Sequence, residues 1–193
     1  MCLDKAIEID PESAQTWNYK GLAYEKIGKT EMAIKCFDRS IEIRPFFTDA
    51  WMNKAKALSR IDRNGEAILC VDKAIELTPD DEKAWVMKGR ALAALGRHDE
   101  ALECYDLAIK INRNLGTAWK QRGEALKELG RIKEAEACFD EAKSAGDGAQ
   151  LSHAHAWAND FIGEKDKQSP VPVSRAPVPQ AEPPKKRRWS FWK

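Results

Sequence analysis

Two residue types capable of chemistry recur along the 193-residue chain at one interval: cysteine at Cys2, Cys36, Cys70, Cys104 and Cys138, and aspartate at Asp4, Asp38, Asp72, Asp106 and Asp140. Thiols can ligate a metal or pair as disulfides, and carboxylates can act as general acid and base. Each column, however, steps by 34 residues, so each structural unit receives one thiol and one acid. Equivalent positions on stacked helical units lie roughly 10 Å or more apart, beyond the ~7 Å Cα separation a disulfide tolerates. The cysteines therefore read as small buried thiols in reducing surroundings, and the acids as solvated or cap-forming groups repeated in every unit. His153 and His155 are two apart, which on a helix turns them to different faces, while His98 follows a glycine turn as a surface residue at a helix start. The sequence shows no glycine-rich phosphate loop, no Cys-x-x-Cys and no His-Glu-x-x-His. The expectation is a chain that is not an enzyme and uses no metal or cofactor.

The elements that carry these columns share their period. Trp17, Trp51, Trp85 and Trp119 step by 34, as do Ala23, Ala57, Ala91 and Ala125, and Ala33, Ala67, Ala101 and Ala135. A Trp followed four positions later by Gly21, Ala55, Gly89 or Gly123, and then by an Ala-x-x-x-aromatic run, resembles the tetratricopeptide repeat, a helix-turn-helix unit that stacks into a solenoid. The resemblance implies an all-α, right-handed helical-hairpin solenoid of about 4.5 repeats. Full repeats are expected at 14–47, 48–81, 82–115 and 116–149, preceded by a half repeat at 2–11 whose second helix alone is present. That half repeat leaves an apolar edge through which copies of the chain are expected to self-associate. Small residues on the two helices of a pair are expected to face each other, with large ones filling the space between repeats. Gly28, Gly96 and Gly130 end the first helices in the left-handed conformation. The second repeat has Asp62-Arg-Asn-Gly65 there, which predicts an altered turn, and the third exchanges the stop of Pro11, Pro45 and Pro79 for Asn112-Arg-Asn114, which predicts a looser junction.

Framework columns repeat and others do not. The resemblance implies a concave groove lined by the first helices, here Asn18, Tyr19 and Leu22; Met52, Asn53 and Lys56; Val86, Met87 and Arg90; and Lys120, Gln121 and Glu124. Its centre, Leu22, Met52, Val86 and Met87, is apolar, and Lys56, Arg90 and Lys120 add a basic stripe. The expected function is a non-enzymatic protein-interaction scaffold that binds a peptide or partner helix, apolar with acidic residues. The carboxylate clamp of the chaperone-binding type is matched at only two of five positions, Asn53 and Lys83, with Asn18, Leu22 and Met87 departing from it, which argues against a chaperone-tail receptor.

Past the repeats, Leu151, Ala154, Ala158 and Phe161 mark one face of a capping helix over 149–163. Residues 164–184 are Pro-rich and read as a disordered spacer. The last stretch, 185–193, joins Lys185, Lys186, Arg187 and Arg188 to Trp189, Phe191 and Trp192. From Glu164 onward eight Lys/Arg stand against three acids, although the whole chain carries only +1. This tail reads first as a foot for an anionic membrane surface, against a nuclear-import-like Pro184-Lys-Lys-Arg-Arg188 run and a solvated end with no role, and single-stranded nucleic acid is the alternative from a different functional class. No apolar run approaches the ~18 residues of a membrane span, and a cytoplasmic location, peripheral at a membrane if the tail engages one, is the default.

Overall fold

The computed structural model describes residues 2–146. The expected capping helix, Pro-rich spacer and basic-aromatic tail lie outside the described residues, and so do His153 and His155. Within them the chain forms α1 (Cys2–Ile9), α2 (Ala14–Lys26), α3 (Thr30–Ile43), α4 (Thr48–Arg60), α5 (Asn64–Leu77), α6 (Glu82–Ala94), α7 (His98–Ile111), α8 (Gly116–Glu128) and α9 (Ile132–Gly146), with no strand among the described residues. Helices pair as hairpins, α2 with α3, α4 with α5, α6 with α7 and α8 with α9, and each hairpin packs on the next. The first helices α2, α4, α6 and α8 also touch one another in turn, so they form one continuous face. The molecule is an all-α helical-hairpin solenoid.

The packing inside a hairpin differs from the sequence expectation in one respect. The small residue of the first helix faces a large aromatic on the second. A Cβ added to Gly21 would lie 2.4 Å from the Phe37 ring, at Gly89 2.5 Å from Tyr105, and at Gly123 2.6 Å from Phe139. Glycine is required there because the ring occupies the space of a side chain. In the second hairpin the pair is Ala55 and Val71, both fully buried, so a smaller partner leaves room for the methyl group. The alanine column at 33, 67, 101 and 135 is buried at 0–2% exposure throughout.

The first helices end alike. Gly28, Gly96 and Gly130 take φ near 75°, and the next amide reaches back to close the helix, Lys29 N–H to the Tyr24 carbonyl at 3.0 Å and Arg97 N–H to Leu92 at 3.0 Å. Asp62 takes the same left-handed conformation, φ 58°, and Arg63 N–H reaches the Leu58 carbonyl at 3.0 Å. The altered turn expected for the second repeat is therefore absent: an aspartate fills the glycine position of an unchanged turn, since Asp tolerates this region better than most L-residues. The last three turns then start the second helix with an Arg-x-x-Glu fork, Arg63–Glu66, Arg97–Glu100 and Arg131–Glu134, every one bidentate, where the first turn has Lys29 and Met32. The arginine hydrogen bonds hold all three glutamates below the ordinary carboxylate range.

The tryptophan column locks the repeat junctions. Its indole N–H donates to the carbonyl six residues earlier, at Pro11 (2.9 Å), Pro45 (2.8 Å), Pro79 (2.9 Å) and Arg113 (2.9 Å). The fourth junction, without proline, keeps this bond and has an Asx turn in which Asn114 N–H donates to Asn112 Oδ1 at 3.1 Å, as Glu12 N–H does to Asp10 Oδ1 at 3.2 Å in the first. Its hydrogen bonding is no looser than that of the others.

Candidate functional site

The aspartate column is structural, and its role differs from the solvated or cap-forming one read from sequence. Four of the five acids pair with a cation on the following first helix, Asp4 with Lys20 (2.9 Å), Asp38 with Lys54 (2.6 Å), Asp72 with Lys88 (2.7 Å) and Asp106 with Arg122 (2.7 Å), while Asp140 pairs with Lys143 on its own helix (3.0 Å). Lys20, Lys54 and Lys88 also sit over the tryptophan of their own helix, 5.3, 6.0 and 5.8 Å from the ring centroids of Trp17, Trp51 and Trp85. Arg122 is buried and donates a second bond to Cys138 Sγ at 2.9 Å. Cys36, Cys70, Cys104 and Cys138 are buried and unpaired, and burial pushes their thiols up, Cys104 to about 11. A thiol so placed is neutral and a poor nucleophile. Among the described residues no three His, Cys, Asp or Glu side chains converge as a metal would need, and no helix is long and apolar enough to cross a membrane.

The candidate site is the face of α2, α4, α6 and α8. Its amino-terminal end is closed by its own hydrogen bonds: Asn53 Nδ2 donates to Oδ1 of the buried Asn18 at 3.0 Å, and Arg60 reaches the buried Glu25 at 3.3 Å. Tyr19 is exposed, its hydroxyl accepting from Gln15 Nε2 at 3.1 Å. Leu22, Met52, Val86 and Met87 are half-buried, and Leu22, Met52 and Met87 rest on the core. The apolar centre is thus a half-covered floor whose remaining surface faces outward.

The charged residues sort into two niches between successive first helices. The first, about 350 Å³, brings Lys56, Met87 and Arg90 together with Arg60, Asn64 and Ala94. Lys56 and Arg90 make no ion pair among the described residues, and Asn64, 7% exposed, makes no side-chain hydrogen bond among them. The second niche, about 390 Å³, holds Gln121 and Glu124 with His98, Tyr105, Ala125 and Glu128. Gln121 donates to Glu124 at 2.7 Å, and Lys120 stands outside the niche, 4.0 Å from Glu124. Burial raises the Tyr105 hydroxyl well above its ordinary range, with nearby Arg90 opposing the rise. Sequence reasoning missed Arg60, Asn64, Ala94, His98 and Glu128. Arg60, Ala94 and Glu128 lie four residues beyond Lys56, Arg90 and Glu124, one helical turn along the same face. Asn64 and His98 come from the second helices, and no spacing within a first helix points to them.

Sequence models of the tetratricopeptide repeat match 14–47 and 82–115, and a second such model matches 48–81 and 117–145. No curated protein matches the chain. Among solved structures, a crystal structure of MamA is 25% identical, with a TM-score of 0.70 over 76% of this chain and 85% of that one. Another crystal structure of MamA is 25% identical, with a TM-score of 0.68 over 78% and 84%. MamA 41-end from Desulfovibrio magneticus RS-1, at 17% identity, shares the fold with a TM-score of 0.71 over 77% and 84%. With four consecutive repeats matched from residue 14 to 145, each folded as a helical hairpin, the chain belongs to the tetratricopeptide repeat family.

Proposed function

We propose that this protein-interaction scaffold is non-enzymatic and docks a peptide or partner helix on the face of α2, α4, α6 and α8, the ligand being apolar with acidic residues. One observation carries the reading: two cations without ion-pair partners among the described residues, Lys56 and Arg90, flank the half-covered Met87 in one niche. A carboxylate beside an apolar side chain complements that pattern, and methionine adapts to irregular apolar contacts. Framework positions hold one residue type from repeat to repeat, whereas the positions on this face change, as a surface with a specific ligand requires.

The test is selection of displayed random peptides against the folded chain. Enriched peptides should combine Asp or Glu with Leu, Met or Phe. They should lose binding to the Met87→Glu, Arg90→Glu double variant while its helical circular dichroism stays unchanged. Equal binding of the enriched peptides by the double variant would remove this face as the docking site.

A further inference from the structure

The two niches are one site built twice. Moving 34 residues along the chain carries Asn64 to His98, Met87 to Gln121, Arg90 to Glu124 and Ala94 to Glu128, each residue lining its own niche. The position is preserved and the charge is inverted. The first niche has Lys56, Arg60 and Arg90 around a buried Asn64, against a single acid, Asp62. The second has Glu124 and Glu128 around His98, whose Nδ1 is buried without a hydrogen-bond partner among the described residues. Glu128 makes no ion pair among the described residues either.

Given the docking face proposed above, on which this step rests, we infer that the ligand is a segment of mixed charge. It carries one acidic residue for the niche between α4 and α6 and one basic residue for the niche between α6 and α8. The carboxylate of the first takes N–H bonds from Arg90, Lys56 and the Asn64 amide. The cationic N–H groups of the second donate to Glu124 and Glu128, and one of them meets the orphan Nδ1 of His98, which acts as an acceptor in the neutral Nε2–H ring. A buried acceptor left without a donor is costly, so the niche favours a donor over a plain apolar side chain. Neighbouring helix axes lie about 8–10 Å apart. Extended chain at about 3.3 Å per residue covers that distance in three residues. The two charges therefore sit about three residues apart on a segment whose intervening residues lie against Met87.

The probes are fluorescein-labelled, end-blocked decapeptides, identical except for a central Glu-Leu-Leu-Arg, Arg-Leu-Leu-Glu, Glu-Leu-Leu-Glu or Gln-Leu-Leu-Gln. At least one mixed order should bind the intact chain about fivefold more tightly than the diacidic peptide, the size expected for one well-placed, partly shielded ion pair. Replacing Glu124 and Glu128 together by Gln should abolish that advantage and leave the diacidic peptide bound as well as before or better. His98→Leu, which keeps both acids, should reduce the same advantage. A diacidic peptide that matches or exceeds both mixed orders, or a ranking that survives the Glu124→Gln, Glu128→Gln variant, overturns the inference and leaves the docking face intact. Failure of all four peptides to bind overturns both.

Discussion

At the residue scale, the buried thiols and Asp62 carry consequences that can be measured. Burial raises the Cys104 thiol from an ordinary 9.0 to about 11 and lifts Cys36, Cys70 and Cys138 in the same direction. The unfolded chain then loses protons before the folded one does. The stability contributed by neutral burial is complete below about 9 and falls as pH rises toward 11. The Tyr105 hydroxyl, also raised by burial, adds to the loss. Urea midpoints should therefore decline between about pH 9 and about pH 11, a window set by these thiol shifts, and Cys104→Ala should make the decline shallower; a midpoint flat across that range would contradict the burial argument. Asp62 tests the backbone. It holds φ 58° in a turn where its three counterparts are glycine. Asp62→Gly should stabilise the fold by about 0.5–1 kcal/mol, relief of left-handed strain outweighing the entropy glycine loses on folding. Thermal melts of both chains measure the sign directly.

At the scale of elements, each hairpin is set by one small-to-large pair, and the second hairpin shows how the pair can change. Gly89 lies under the Tyr105 ring, while the equivalent positions of the second hairpin hold Ala55 and Val71, both fully buried. Gly89→Ala alone forces a methyl group into a ring that cannot retreat and should cost about 1–3 kcal/mol. Tyr105→Val alone opens a cavity at a cost of about 2–4 kcal/mol. Together they recreate the second hairpin's pair, so the double variant should be more stable than the sum of the two losses by at least about 1 kcal/mol; additive losses would mean that the ring and the glycine do not share one space. This pairing also marks where sequence reading stops. The columns at 34-residue steps reveal the helices, the turns and the tryptophan framework, because every unit repeats the same local problem. They do not show that Gly89 faces Tyr105, since that contact joins residues 16 apart on two helices. Asp72 and Lys88 are likewise 16 apart and are legible in the sequence only as two separate columns. The niches are harder still: Met87 and Arg90 stand out on α6, but Asn64 and His98 reach the same face from the starts of α5 and α7.

At the scale of the whole molecule, identical local chemistry should have different consequences according to place. The solenoid is a chain of nearest-neighbour interfaces, and its stability is the sum of repeat and interface contributions. Trp17 and Trp85 make the same local contacts. Each donates to a proline carbonyl six residues back, at 2.9 Å, and lies under the lysine that pairs with the preceding repeat's aspartate. Their surroundings differ. Trp85 joins hairpins packed on both sides, whereas Trp17 joins α2 to the eight-residue α1, and the column alanine of α2, Ala23, is exposed where Ala57, Ala91 and Ala125 are buried. Trp85→Ala should therefore cost about 3–5 kcal/mol and weaken the coupling between the two halves of the array. The urea transition should broaden, with a lower slope, as the halves begin to unfold separately. Trp17→Ala should leave the main transition within about 1 kcal/mol of the parent and release only the amides of α1, an eight-residue helix packed on α2. Hydrogen exchange resolved by peptide, run on both variants beside the parent chain, separates the cases. Protection should be lost only over residues 2–10 in Trp17→Ala, and across α4 to α7 in Trp85→Ala. Equal shifts and equal slopes for the two substitutions would mean that the array unfolds as a single cooperative block.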